Sequence, residues 1–406
     1  MHSPPFPTLD DTLEGLSELS RGSEAGLVQF SIGDELAWLV NSPVLVHEVL
    51  GAQADVFEGP EHPFSRAQQL YTPSGLFALG LAHKGPGGQT HARALWRLAV
   101  EQSEALAHRW LAHASGRERE QELSQGLREQ SAAWSTRALY GVDMDAEIPE
   151  LVAATLAYED EALDAAAGPE GARARLAAFC EVLVQRRERA GDEGHAARTV
   201  LPTLLNASVA TALTLAWTLY LLAHHPEALA RVEAELDALP PDTRALAPPQ
   251  LPRCRAALLE SLRLYPPTWL LIRSVAHEHE LGGQRLAPGE LIALCPWTLH
   301  RNPRWWREAD RFDPLRFEQH EPPVRGAWLP FGHGAHSCVG AHVALPMMQA
   351  TLATLLRQLR PWPAAGPAPT LAARVSLRTQ SGIRLVLEPR AGARRENGEQ
   401  TRVGEA

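Results

Sequence analysis

The residues best placed to do chemistry surround one cysteine, Cys338, at the end of a glycine-rich stretch. An apolar helix pattern runs from Ala341 to Leu355 directly after it. Glycines at 332, 334 and 340 permit backbone conformations and close approaches that a Cβ would block, so a flat ligand could lie against this loop. The helix N-terminus and the loop amides can donate to the sulfur and favour its thiolate form. The pattern predicts one thiolate ligand on a stiff loop.

The residues of this stretch, taken by themselves, allow three interpretations. A lone cysteine before a helix is often a small buried apolar residue. His333, His336, Cys338 and His342 are also spaced as zinc ligands can be. The interpretation that we favour is an axial ligand of haem iron, because a thiolate there pushes electron density toward bound oxygen and favours O–O cleavage.

A second constellation pairs a carboxylate with a guanidinium. Glu260 and Arg263 are three residues apart, so they share one face of a helix that the Pro266-Pro267 pair ends. A surface pair at this spacing would contribute little to stability. Apolar residues flank this one, however, and the pattern therefore favours a buried pair.

In combination, these stretches resemble the cytochromes P450. The cysteine stretch matches the family signature Phe-x-x-Gly-x-x-x-Cys-x-Gly at Phe331, Gly334, Cys338 and Gly340. The resemblance implies haem b (heme b) as cofactor, with Cys338 as the iron ligand. It also implies that Phe331, Gly332 and Gly340 lie against the haem.

The resemblance assigns a role to the ion pair as well. In the family, the Glu-x-x-Arg pair is joined by an arginine from a later Phe-x-Pro-x-x-Phe segment, which is Phe312–Phe317 in this chain and carries Arg316. Leu315 stands where the family usually has an acidic residue. Glu260, Arg263 and Arg316 are therefore expected to form a buried ionic cluster that locks the cysteine loop.

Cations for the two haem propionates are implied in the same way. Arg273 follows the Pro-Pro turn, and His336 takes the place in the cysteine loop where the family has arginine or histidine. Upstream, His91 matches the propionate helix, with Arg93 or Arg97 as its partner. Either arginine could instead be an ordinary solvated charge.

The distal helix departs from the family. Residues 199–222 are predicted to form it, and the family's Ala-Gly-x-(Asp/Glu)-Thr-(Thr) pattern falls on residues 206–211. Val209 and Ala210 replace the acid and the alcohol that relay protons during oxygen activation. Three explanations are open: Asn206, Ser208 or Thr211 organises water for the relay, the substrate's own polar group assists, or peroxide is the oxidant. Ser208 and Thr211 could equally bond to the helix backbone.

The expected substrate pocket is almost wholly apolar, which favours a large hydrophobic substrate. The candidate contact residues are Leu205, Val209, Ala210, Trp269, Leu270 and Leu271. A local resemblance around Tyr265–Arg273 to carotenoid ring hydroxylases suggests a carotenoid or another isoprenoid, with fatty acids and polyketides as rivals. The Arg-Pro pair that fatty-acid peroxygenases carry on this helix does not occur.

The elements that must position these residues follow the family. We expect a mainly α fold with small β-sheets, in which haem lies between the long distal helix and the proximal cysteine loop. A strand pair at 27–40, a short helix at 42–50 and helices through 101–189 are predicted. We assign 1–24 to an N-terminal extension, 25–388 to the cytochrome P450 domain and 389–406 to a disordered polar tail.

The composition of the chain restricts its expected partners and cellular compartment. A formal net charge of −10 argues against nucleic acid as a partner, and four scattered cysteines suit a reducing compartment. With no apolar run long enough for a bilayer and no signal peptide, we expect a cytoplasmic monomer. A ferredoxin or flavodoxin is the expected electron donor, facing Arg301, Arg304, Arg307 and Arg325. A non-catalytic haem protein that binds a ligand is the alternative from another class.

Overall fold

The computed structural model describes residues 9–32, 35–59, 86–112, 119–140, 143–161, 170–189, 201–319, 324–334, 337–338 and 340–390. The α-helices in these ranges are α1 (Leu9–Gly22), α2 (Pro43–His47), α3 (Pro86–Ala112), α4 (Leu123–Tyr140), α5 (Ile148–Glu161), α6 (Glu170–Arg189), α7 (Leu201–His224), α8 (Pro226–Asp237), α9 (Pro252–Leu264), α10 (Pro296–Leu299), α11 (Leu315–Gln319) and α12 (Ala341–Gln358). The strands are β1 (Leu27–Ile32), β2 (Glu35–Val40), β3 (Phe57–Glu58), β4 (Glu120–Glu122), β5 (Leu271–Val275), β6 (His279–Leu281), β7 (Gln284–Leu286), β8 (Leu291–Leu294), β9 (Leu359–Pro363), β10 (Leu371–Ala373), β11 (Leu377–Thr379) and β12 (Arg384–Pro389).

The helices form the larger layer of the fold. Helix α7 is apolar around its whole circumference and packs between α4, α9 and α12, so that its central turns are buried. Helix α9 begins with Pro252 at its first position and ends at Leu264, just before the Pro266-Pro267 pair. These two helices hold the distal residues and the Glu260–Arg263 pair in one core.

The largest sheet has five strands in the order β1-β2-β8-β5-β3. Strand β2 pairs in parallel with β8, and β5 pairs antiparallel with β8, which sets Arg273 opposite Ile292. A three-stranded sheet, β4-β12-β9, and the two-stranded pairs β10-β11 and β6-β7 complete the sheets of the described residues. Arg273 is therefore fixed by its central strand.

The mainly α prediction with small sheets is confirmed, as are the β1–β2 pair and the distal helix. The predicted helix at 42–50 is split, since α2 ends at His47 and a π-helical turn follows at Glu48–Ala52. Helix α1 lies in the segment assigned to an N-terminal extension, yet its Leu13 and Leu16 pack in one core cluster with Phe30 and Trp269. The domain boundaries stay predictions, and residues 391–406 lie outside the described residues.

No helix in the described part of the chain is long and apolar enough to cross a bilayer.

Candidate haem site

The cysteine loop is a tight turn in which two glycines are required. Gly332 and Gly334 have φ of 71° and 66°, in the left-handed region that other residues rarely adopt. A Cβ on Gly334 would also collide with the backbone carbonyl of Leu50. The amide of Cys338 donates to the carbonyl of Phe331 at 2.7 Å and closes the turn. The loop thus fixes the position of the sulfur from both sides.

Cys338 is exposed as a residue, although its thiol lies among enough protein atoms to lose solvation. Burial raises the pKa of this thiol above its ordinary value, while the amides of Gly340 and Ala341 oppose the rise by donating to the sulfur. The amides thus act in the expected direction, but burial outweighs them. The thiol form is favoured in the haem-free protein, and deprotonation is expected to accompany metal binding.

Helices α7 and α12 each carry apolar side chains that are not buried. From Ser208 to Leu219, Ala210 is the one residue of α7 that is not buried. In α12, which contacts α7 and begins just after Cys338, residues 341–346 are half-exposed or exposed, whereas Met347–Leu356 are buried. A flat apolar cofactor bound at Cys338 would cover part of this apolar surface.

The structure brings Glu260, Arg263 and Arg316 together in a buried cluster. Both carboxylate oxygens of Glu260 accept from Arg263 at 2.7 Å, and both side chains are fully buried. Nε of Arg316 lies 3.3 Å from Oε1 of Glu260. The remaining donors of Arg263 reach three backbone carbonyls, those of His300, Ala309 and Arg311. Full pairing of every charge is what makes a buried ion pair tolerable.

His300 extends this cluster to the cysteine loop, and the sequence did not indicate it. Its Nε2 accepts from the amide of Leu329 at 2.7 Å, and its Nδ1 donates to the carbonyl of Arg263 at 3.1 Å. Burial first, and then the nearby Arg263 guanidinium, lowers the pKa of His300 to about 3. Leu329 in turn accepts from the amide of Gly332 at 3.1 Å. A neutral imidazole therefore connects α9 to the first turn of the loop.

The predicted propionate residues are only partly described. Arg273 is half-buried on β5, and burial lowers the pKa of its guanidinium. It donates to the carbonyl of Ile272 at 2.9 Å, and no carboxylate of the described residues pairs with it. An unpaired, half-buried guanidinium suits an anionic ligand. Arg93 and Arg97 are exposed on α3, whereas His336 and the side chain of His91 lie outside the described residues.

The distal residues lie on α7 as predicted by the pattern. Ser208, Val209 and Thr211 are buried and Ala210 is half-exposed, while the side chains of Leu205 and Asn206 lie outside the described residues. Two later hydroxyls of the helix, on Thr214 and Thr218, donate to the carbonyls of Ala210 and Thr214 at 2.7 Å. Ala210, the half-exposed residue of this group, thus presents only a methyl group.

Two expectations about exposed side chains need correction. Trp269 is 1% exposed, and its indole donates to the carbonyl of Arg374 at 2.7 Å, so its side chain belongs to the core and not to an open pocket surface. Leu270 is also buried, whereas Leu271 is half-exposed. Arg301 stacks on Trp297 at 3.5 Å with a side chain only 10% exposed, which removes it from the surface offered to a partner.

A zinc site finds no support in the described residues. No three His, Cys, Asp or Glu side chains in that part of the chain converge as metal ligands would. His333 instead makes a hydrogen bond with His47, with 2.7 Å between Nε2 and Nδ1. His336, the fourth residue of the zinc hypothesis, lies outside the described residues.

Comparison with known proteins agrees with this geometry. The family model described as "Cytochrome P450" matches residues 153–385, which is more than half of the chain and includes Glu260, Arg263, Arg316 and Cys338. The chain belongs to the cytochrome P450 family. Haem b with a thiolate-bound iron is the cofactor that this family implies.

Several curated cytochromes P450 are similar to parts of the chain. The cyclooctat-9-en-7-ol 5-monooxygenase of Streptomyces melanosporofaciens is 34% identical over 48% of this chain and 48% of its own length. A sterol 14alpha-demethylase of Mycolicibacterium vanbaalenii is 39% identical over 36% of this chain and 33% of its own length. The pentalenene oxygenase of Streptomyces avermitilis is 34% identical over 40% and 37%. The chain spans about half the length of the curated relatives it matches, or less.

The described residues fit haem on three observations. The loop offers one exposed cysteine at the start of α12. The half-exposed side chains of α12 and Ala210 provide apolar surface for a flat ring. Arg273 provides a guanidinium that no carboxylate of the described residues neutralises.

Proposed function

We propose that this cytochrome P450 is a haem-thiolate monooxygenase that hydroxylates a large hydrophobic substrate of the isoprenoid class. The observation that carries the proposal is the buried chain of contacts from Glu260 through Arg263 and His300 to Leu329, which fixes the loop that presents Cys338. Hydrogen bonds that hold the cysteine loop in one position are expected where the sulfur must bind a metal ion in a defined geometry.

Cys338 would supply the thiolate ligand of the iron, and Phe331, Gly332 and Gly340 would contact the ring. Arg273 would bind one of the two propionates, and His336, His91 and Arg93 remain the predicted residues for the other. When bound, the haem supplies the oxygen-activating chemistry. Binding a propionate would not require Arg273 to give up an ion pair, because its guanidinium has no carboxylate partner among the described residues.

On the distal side, the protein's own residues must exclude bulk water and still deliver protons. Val209 and Ala210 stand where the family pattern has the acid and the alcohol, so neither group is expected at those two positions. Ser208 and Thr211, buried on the same turns, and Asn206 are the candidates for holding a water that carries protons. Proton transfer through such a water is a form of general acid catalysis.

The isoprenoid class is supported by the pocket and by the relatives. Val209, Ala210 and Leu271 are apolar, which favours a substrate without charge. The similar proteins include a cyclooctat-9-en-7-ol monooxygenase, a pentalenene oxygenase and a sterol demethylase. Within this class, the local sequence resemblance makes a β-ring carotenoid the first substrate to test.

Electrons would come from a ferredoxin or flavodoxin that docks near the cysteine loop. Arg304, Arg307 and Arg325 are exposed and could meet an acidic partner. Salt should then slow electron transfer steeply, because exposed charge pairs are screened. A rate that does not change with ionic strength would remove these arginines from the docking surface.

The test is product mass after incubation of the haem-loaded protein with a β-ring carotenoid and with a diterpene hydrocarbon. One reaction receives oxygen with a ferredoxin and its reductase, and another receives peroxide alone. A gain of one oxygen atom only with the reductase supports the monooxygenase. Cys338→Ala, loaded with haem in the same way, is the control and should give no product. Absence of product from every substrate and oxidant overturns the proposal.

A peroxide-driven reaction is the second candidate, and it is favoured by Val209 and Ala210. Peroxide arrives with its protons, so a pocket without the acid–alcohol pair would suffice. The double variant Val209→Asp/Ala210→Thr should then raise product yield per electron with the reductase and leave the peroxide reaction no faster. If wild type already couples electrons to product efficiently and the double variant changes nothing, peroxide is not the natural oxidant.

A further inference from the structure

A contact between two histidines joins the cysteine loop to helix α2. Nδ1 of His47, the last residue of α2, lies 2.7 Å from Nε2 of His333 in the loop. The two rings meet edge to face, with 5.0 Å between their centroids. The residues are 286 positions apart in the chain, so the contact connects two segments that the backbone does not hold together.

Two glycines let these segments approach closely. A Cβ on Gly51 would lie 3.3 Å from Nδ1 of His47 and 3.7 Å from Cδ2 of His333. A Cβ on Gly334, the neighbour of His333, would collide with the carbonyl of Leu50. Both imidazoles are half-buried. The contact is therefore part of the packed junction between the loop and the π-helical turn, and not a meeting of side chains on an open surface.

The contact between these two residues, the histidine pair, has room for one hydrogen atom. One imidazole donates it and the other accepts, which is possible when the pair is neutral or carries a single positive charge. When both rings are protonated, one N–H faces another, and two positive charges lie side by side. The hydrogen bond between His47 and His333 is lost in that state.

The charged groups around the histidine pair oppose a second proton. Burial, then His47, then Arg325 lower the pKa of the His333 imidazole. Glu48 follows His47 in the chain, but its carboxylate lies 3.5 Å from Nε2 of His279. No carboxylate among the described residues forms an ion pair with either member of the histidine pair. A second positive charge therefore has no counterion at this junction.

The position of the pair relates it to the sulfur. His333 lies within the turn that the amide of Cys338 closes on the carbonyl of Phe331. The start of the loop is attached separately, because the amide of Leu329 donates to His300. The cysteine loop thus has one attachment through His300 and another through the histidine pair. Loss of the second would free the turn that ends at Cys338.

We propose that His47 is a positioning residue for the iron ligand, and that the histidine pair is a proton-sensitive attachment of the cysteine loop. A second proton on the pair releases the loop from α2 and lowers the share of haem that is bound through a thiolate. This inference rests on the proposed role of Cys338 and adds a pH dependence to it. The competing explanation is a packing contact whose loss does not move the loop, and it predicts the same pH profile with and without the imidazoles.

The first experiment measures the thiolate share of the carbon monoxide complex in the haem-loaded, full-length protein. The pH is varied from about 8 to about 5, on both sides of the ordinary histidine pKa. His47→Asn and His333→Gln each place an amide near the lost ring nitrogen. An amide donates or accepts a hydrogen bond but takes up no proton, so the remaining imidazole can become charged without a like charge beside it.

The histidine pair contributes above the ordinary histidine pKa of about 6.5, and its contribution is lost as the pH falls, because the folded protein disfavours the second proton. Wild type should therefore lose the thiolate form on acidification, and in both variants the midpoint should lie about one pH unit lower. His108→Gln, at an exposed position on α3, is the control and should follow wild type. His300 and Cys338 are unchanged in all four proteins, so their own titrations cancel in the comparison.

The second experiment needs no haem. Hydrogen–deuterium exchange of the peptide that contains Gly332 and Cys338 reports opening of the loop in the haem-free protein. At the acid end of the range, this peptide should exchange several-fold faster in wild type than in His47→Asn. At the alkaline end the two should agree. Should His47→Asn fail to fold, His333→Gln gives the same comparison from the other ring.

The outcomes separate this inference from the proposed function. Equal acid midpoints in wild type and the variants, or loop exchange at low pH that is no faster in wild type, overturn the proton-sensitive attachment and leave the monooxygenase proposal standing. A carbon monoxide complex without a thiolate in every protein and at every pH overturns both.

Discussion

Arg263 and His300 hold each other through two reciprocal contacts between side chain and backbone. The guanidinium of Arg263 donates to the carbonyl of His300 at 2.8 Å, and the imidazole of His300 donates to the carbonyl of Arg263 at 3.1 Å. The free nitrogen of His300 then accepts from Leu329, ahead of the cysteine loop. The position of Cys338 thus depends on a histidine that is fully buried.

Loss of His300 should loosen the thiolate. His300→Ala leaves the Leu329 amide and the Arg263 carbonyl unpaired in the core, a cost of about 2–4 kcal/mol of unfolding free energy. We expect a larger share of the inactive, non-thiolate form in the carbon monoxide spectrum, and partial rescue by His300→Gln, whose amide can both donate and accept. His108→Ala, at an exposed position on α3, is the control. An unaltered spectrum in His300→Ala would show that the cysteine loop keeps its conformation without the hydrogen bond to His300.

Acid should destabilise the wild type more than His300→Gln. His300 is neutral when folded, with a pKa near 3, but takes up a proton when unfolded below its ordinary pKa of 6.5. Its contribution is therefore complete above about pH 6.5 and is lost as the pH falls toward 3, at about 1.4 kcal/mol per pH unit. Thermal unfolding of both proteins between these limits measures the slope. Parallel pH profiles would mean that His300 is not held neutral.

The buried and the exposed Glu–Arg pairs offer a direct comparison at one spacing. Arg263→Met removes the bidentate partner of the buried Glu260 and leaves it only the longer contact with Arg316, so it should cost about 3–5 kcal/mol. The pair Glu308–Arg311 has the same i,i+3 spacing, but its side chains are 50% and 61% exposed. Arg311→Met should therefore cost about 1 kcal/mol or less. Denaturant unfolding measures both, and similar losses would place the Glu260 cluster outside the core.

Arg273→Met should act in opposite directions with and without haem. In the haem-free protein it removes a half-buried guanidinium that has no carboxylate partner in the described residues, so stability should hold or rise. In the loaded protein it removes a propionate contact, and haem should dissociate about tenfold faster or more. Haem transfer to an apo-globin acceptor measures the rate of haem dissociation, and thermal unfolding of the haem-free protein measures its stability. An unchanged haem release rate would exclude Arg273 from the propionates.

Thiol alkylation should distinguish Cys338 from the other described cysteines. Cys254 and Cys295 are fully buried, and burial raises the pKa of Cys295 to about 11, whereas Cys338 is exposed. In a Cys180→Ser background, iodoacetamide should modify haem-free protein at Cys338 alone, and haem should block that reaction. Mass spectrometry of peptides locates the label. Labelling of Cys338 that haem does not slow would contradict its role as the iron ligand.

Local patterns sufficed for the elements and for part of the site. The Pro-Pro pair ends α9 where the sequence predicts, and the alternating and helical patterns give β1, β2 and α7. The three-residue spacing of Glu260 and Arg263 predicts their contact, because a helix puts such residues on one face. The glycines of the cysteine loop likewise predict its left-handed turns.

Contacts between distant segments were decided by the tertiary structure. His300 is 37 residues from Arg263 and 29 from Leu329, and no periodicity connects them. Glu159 and Ser376 are 217 residues apart. The burial of Trp269 and of Arg301 could not be foreseen either, since both residue types are common at surfaces and only their packing partners withdraw them from solvent.

The sequence by itself determined the family, the thiolate loop and the Glu–Arg pair, because each depends on residue types at short, fixed spacing. Only the tertiary structure decided which polar groups are satisfied: every donor group of Arg263 is paired, whereas one buried carboxylate oxygen of Glu159 has no hydrogen-bond partner among the described residues. The physical reason is that burial and hydrogen-bond satisfaction depend on all the segments that pack around a group, which short-range spacing does not encode.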